Sequence, residues 1–126
     1  MPILRPAFAY AATIFAAGFL LGTLRAFWIA PALGPLPAVA LELPVMLALS
    51  WIVAGRILAR QAIPPGAGRL GFGTLAFALL MTAELALGHW GFGQDWSQIA
   101  AAYLTAPGLL GLAGQLGFAL IPLLHP

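Results

Sequence analysis

Arg25, Glu42 and Glu84 are the residues with chemistry to offer, because each stands inside a long apolar run. A charged side chain near the centre of a bilayer is unfavourable by about 2.5–3.5 kcal/mol on an insertion scale, and less near its edge. At a rise of 1.5 Å per residue, Arg25 lies about 9 Å below Pro31, Glu42 about 8 Å below Pro37 and Glu84 about 10 Å below Gly91. Helix direction alternates along the chain, yet all three reach one layer. The economical expectation is that they face one another inside a bundle. One cation and two carboxylates are not neutral together, so one carboxyl holds a proton or a bound cation supplies the balance.

Helix faces agree with this placement. At 100° per residue, Gly18, Gly22 and Arg25 share a narrow stripe, and Gly18/Gly22 have the small-xxx-small spacing that lets helices approach closely. Gly73, Phe77, Leu80, Glu84, Gly88 and Gly91 form a second stripe. Gly108, Gly111 and Gln115 share one side of the last run. Gly18, Gly22, Gly108 and Gly111 are therefore expected at helix interfaces. Pro44, inside the second run, removes a helical hydrogen bond and frees the carbonyl of Ala40 beside Glu42. Pro107 is expected to free the carbonyl of Tyr103 in the same way. Tyr103 and Thr105 fall near the charged layer and complete the candidate site.

The composition determines the class. Of 126 residues, 63% are apolar and only 6% charged. Soluble domains carry about 25% charged residues, so a water-soluble enzyme, a nucleic-acid binder and a disordered tail are all excluded. There is no Cys, which excludes disulfides and thiolate ligands, and every basic residue other than His is Arg. The absence of Lys excludes Schiff-base chemistry.

A spanning helix needs about 20 mostly apolar residues. Four such runs are predicted, at about 8–29, 37–58, 70–90 and 98–124, separated by Pro, Gly and polar breaks. They account for nearly all of 1–126, which reads as a single transmembrane domain and an antiparallel four-helix bundle. The first run is too long for the apolar region of a signal peptide. A faint repeat pairs Leu20–Arg25 with Leu79–Glu84 and Leu41–Leu49 with Leu104–Leu112. It implies two parallel helical hairpins related by an axis along the membrane normal.

Other chemistries lack their residues. His89 lies about 140° around its helix from Glu84, and one His with one Asp falls short of a zinc set. His89 reads instead as an interfacial side chain beside Trp90. Ser50 and Ser97 have no triad partners, and no cofactor motif is present. The expectation is a protein without metal or cofactor, in which Arg25 is the counter-ion or anion clamp, Glu84 the titrating group and Glu42 a second carboxylate. It would bind or move a proton, a cation or a small polar ligand, as a homo-oligomer if it transports. The rival is a non-catalytic subunit or assembly factor of a larger membrane complex, docked through the glycine-rich fourth helix. A membrane enzyme acting on lipid, with a carboxylate as acid or base, is the third reading.

Arg5, Arg56, Arg60 and Arg69 lie at the N-terminus and around the middle loop, while the outer loops carry none. The positive-inside rule then puts both termini and the middle loop in the cytoplasm. Trp28, Trp90 and Trp96 fall at the outer interface. All-Arg basic usage with heavy Ala, Gly and Leu content suggests a bacterial chain, hence an inner membrane. Cysteines introduced as Gln61→Cys and Gln94→Cys should respond oppositely to an impermeant thiol reagent in intact cells, with only the second labelled. Labelling at position 61 alone would reverse the orientation.

Overall fold

The computed structural model describes residues 3–126. It is all-α, with 87% of residues helical. Four helices are long and apolar enough to cross a membrane, which makes this a multi-pass membrane protein: α1 (Leu4–Leu33), α2 (Pro35–Arg60), α3 (Ala67–Gly91) and, after the short α4 (Trp96–Tyr103), α5 (Ala106–Leu124).

Most ends follow from local chemistry. The sequence predicts that Pro31 stops the first helix near Ile29, but α1 continues to Leu33. A π turn over Arg25–Ile29 carries the Ala30 N–H back to the Arg25 carbonyl, re-registering the ladder just before a residue that has no N–H. Gly34 then ends the helix at φ 90°, a conformation that a side chain resists. Pro35 opens α2 in the position where a missing N–H has no consequence. Pro44 lies inside α2 as expected. Gly66 at φ 72° and Gly93 at φ 69° make the other two reversals. Asp95 and Gln98 form a capping box at the start of α4, with Asp95 N–H donating to Gln98 Oε1 at 2.8 Å.

The fourth predicted helix is not continuous. Thr105 interrupts it. Its hydroxyl donates to the Ala102 carbonyl at 2.7 Å, closing α4, and accepts from Gly108 N–H at 3.2 Å, opening α5. Pro107 therefore falls in the first turn of α5, where proline is tolerated. The Tyr103 carbonyl is released by the end of α4, not by a proline kink in a through-going helix.

α1 packs on α2 and α3, and α5 packs on the same two helices. The hairpin α1–α2 thus lies alongside the hairpin formed by α3 and α5, in the same sense, with each helix against its counterpart. Half a turn about the bundle axis would instead put counterparts on diagonals. Sideways displacement, not that axis, relates the two hairpins.

The apolar core occupies one end, beside the 61–66 loop. Ala7, Tyr10, Ala11 and Ile14 of α1 meet Ala54 of α2, Phe72, Ala76 and Leu80 of α3, and Phe118 and Ile121 of α5. The close helix approach expected at Gly18, Gly22 and Gly111 occurs elsewhere. A Cβ at Gly73 would sit on the Ala119 carbonyl, one at Gly114 on Leu43, and one at Gly117 within 2.9 Å of Leu47. A Cβ at Gly18 would meet only Met46 at 3.5 Å, and one at Gly111 nothing. Gly108 is confined, but by Ala102 and Tyr103 at the α4–α5 corner. Below the core, Arg69 Nη1 donates to the His125 carbonyl at 2.8 Å, and the His125 ring stacks on Trp51 at 3.8 Å.

Tyr10 is fully buried at the centre of this core. Its ring stacks on Phe118 at 4.1 Å and its hydroxyl donates to the Phe118 carbonyl at 2.7 Å. That carbonyl is available because Pro122, four residues on, has no N–H to give it. Tyr10→Phe leaves the carbonyl unsatisfied in an apolar core and should cost about 1–3 kcal/mol. In a Pro122→Ala background, which restores the helical N–H, the same change should cost markedly less. Unfolding in detergent measures the four variants of this cycle, and an equal loss in both backgrounds would refute the assignment.

Candidate functional site

The other end of the bundle is not filled. It holds an open cavity of about 1090 Å³, lined by residues of all four spanning helices and of the α4–α5 corner. Arg25, Glu42, Glu84, Tyr103 and Thr105 all line it. Its walls are mainly apolar, with Phe15, Phe19, Phe27 and Phe92 among them, and its floor is made by Ile14, Leu80 and Phe118 of the core. Pro35 and Gln94 mark its other end, near the turns that join α1 to α2 and α3 to α4.

The three charged residues enter from three helices. Arg25 begins the π turn of α1, and Glu84 lies one turn of helix before the second π turn, Leu87–Gly91 in α3. Such turns widen a helix by one residue and recur at functional sites. Arg25 Nη1 donates to Glu42 Oε2 in a direct ion pair, with side-chain exposures of 34% and 14%. Gly22 adjoins this pair, and a Cβ there would make an ordinary contact with Arg25 Nη2 at 3.5 Å. The Gly18/Gly22 stripe lines the cavity beside the guanidinium instead of forming a tight helix seam.

Glu84 stands apart from that pair in its bonding. Gln115 Nε2 of α5 donates to Glu84 Oε2, and the Tyr103 hydroxyl approaches the same oxygen at 3.5 Å. The expected trio is therefore one cavity with two polar stations, an ion pair and a carboxylate held by neutral donors. Gln115 belongs to the site and was not among the sequence-derived candidates. Its signal was present: it is the one amide in α5, on the stripe shared with Gly108 and Gly111. Thr105 lines the cavity, but its hydroxyl is engaged by the helix break on both sides.

His89 is an aromatic partner at this end. Its ring stacks on Trp96 at 4.1 Å and meets Trp90 edge-on at 5.1 Å, while Nδ1 lies 2.8 Å from the Gln94 carbonyl. Among the described residues no group of three or more His, Cys, Asp and Glu is placed to hold a metal ion. Compared with known proteins, the chain matches no family, no curated sequence and no solved structure.

Chemically, the site has one carboxylate more than it has cations. It can take up a proton or a cation at Glu84 without breaking the Arg25–Glu42 pair. Removing one partner of a fully buried pair costs about 3–5 kcal/mol, and of a surface pair about 1 kcal/mol or less. Arg25 is partly exposed, so Arg25→Leu should cost about 2–3 kcal/mol, between those limits. Adding Glu42→Gln should recover most of the loss, whereas adding Glu84→Gln should not. Melting temperatures of the single and double variants decide this, and recovery through Glu84→Gln would reassign the partner.

Proposed function

We propose that this membrane protein binds a small monovalent cation-bearing ligand at Glu84, in a cavity entered from the outer face. The observation that carries this reading is the division of charge: Glu42 takes up Arg25, and Glu84 is left with the neutral donors Gln115 and Tyr103. An ionised carboxylate at membrane depth is costly unless it is paired or protonated, so a proton or a ligand cation completes the site. Ligand pockets commonly hold about 300–1,000 Å³, and this cavity, at about 1090 Å³, has room for a molecule and not just an ion. Its largely apolar lining suits a ligand whose charge is carried on an apolar body.

Access from one side is supported by where the packing lies. The core around Tyr10, Phe72 and Phe118 fills the half beside the 61–66 loop. The distribution of Arg supports placing that loop, with both termini, on the cytoplasmic side of a bacterial inner membrane. The polar stations lie in the opposite half, so ligand would enter from outside or from the outer leaflet. Proton and ligand would compete for one carboxylate, and that exchange couples ligand uptake to proton release.

Titration of the purified protein with 2-phenylethylammonium and with 3-phenylpropanoate tests the sign of the site. The ammonium should bind and the carboxylate should not. Glu84→Gln should weaken ammonium binding at least tenfold while Asp95→Asn leaves it unchanged. Acidification should weaken it too, because a proton then occupies Glu84. Preferential binding of the carboxylate, or full ammonium binding by Glu84→Gln, would overturn the proposal.

A further inference from the structure

Gln115 presents a second, independent observation at the same station. Its Nε2 donates to Glu84, and its Oε1 is buried and has no hydrogen-bond partner among the described residues. A buried acceptor without a partner is uncommon in folded proteins and calls for a donor. Here it stands on the residue that already holds the Glu84 carboxylate, in the wall of the cavity. Because Nε2 is held by Glu84, the planar amide keeps Oε1 beside the same carboxylate.

Two acceptors of different kinds therefore adjoin: a carboxylate, which answers positive charge, and an amide oxygen, which answers an N–H. An inorganic cation fits this poorly, because hard cations collect about six to eight oxygens and most of the wall here is phenyl and alkyl. A quaternary ammonium satisfies the charge but has no N–H for Gln115. Resting on the cation reading of Glu84, we infer that the ligand is a protonated primary or secondary amine on an apolar body, with N–H groups donated to both Glu84 and Gln115 Oε1. The aromatic walls complement this class, since phenyl and phenol faces attract an ammonium and also pack an apolar tail.

The test compares 2-phenylethylammonium with its N,N,N-trimethyl counterpart, which has the same charge and ring but no N–H. Wild-type protein should prefer the primary amine by roughly tenfold or more, the scale of a hydrogen bond involving a charged group. Gln115→Met should bring the two affinities together, and Gln115→Asn, which withdraws the same oxygen by one methylene, should narrow the gap. Asn keeps the amide and so gives a reading if Met disturbs the fold. Equal binding of both probes by wild type would overturn this inference and leave the cation site standing. A preference that survives in both Gln115 variants would remove Gln115 from it. Failure of both probes to bind would overturn the cation reading, and this inference with it.

Discussion

A charged side chain at membrane depth must find its partner inside the protein, and the Arg25–Glu42 pair is where this chain meets that demand. The pair joins α1 to α2 across the single-residue turn at Gly34. It lies beside Gly22, where the altered helical register of α1 begins at Arg25. Because Glu42 takes the only cation near the layer among the described residues, Glu84 has to be held by other means. α5 supplies Gln115 for it and the α4–α5 corner supplies Tyr103. The division of the site into two stations thus follows from one ion pair.

Backbone satisfaction governs the rest of the architecture. Lipid offers no hydrogen bonds, so each departure from regular helix must be answered internally. Thr105 answers the break between α4 and α5 from both sides, and Tyr10 answers the carbonyl that Pro122 frees. The π turns accommodate the polar layer within α1 and α3 without exposing a gap. These devices let the bundle be irregular where the cavity lies and dense where the core lies. Glycine follows the same division: Gly73, Gly114 and Gly117 bring backbones and side chains together, whereas Gly18 and Gly111 leave volume empty.

A bundle packed at one end and open at the other has consequences for any ligand. Phe118 belongs to both regions, forming the cavity floor on one side and stacking on Tyr10 on the other. A ligand in the open half would therefore rest on a residue of the packed half. On its packed side Phe118 is held by that stacked pair and by the hydrogen bond from Tyr10 to its carbonyl. The resting architecture is that of a one-sided pocket.

The sequence by itself determined the class, the number of spanning helices and the common depth of Arg25, Glu42 and Glu84. These depend on hydropathy and helical rise, which are properties of one chain segment at a time. It also marked most of the reversals, because Gly34, Gly66 and Gly93 are local conformational choices. Tertiary structure alone decided which Glu pairs with Arg25, since all three residues share a layer and only the arrangement of helices distinguishes two carboxylates at one depth. It decided the role of each glycine too, because a small residue on a helix stripe is equally suited to a tight seam or to the wall of a cavity. Gln115 illustrates the boundary. Its polarity within an apolar helix was plain in the sequence, but its function as the donor to Glu84 depended on how α5 packs against α3, and no single segment encodes that contact.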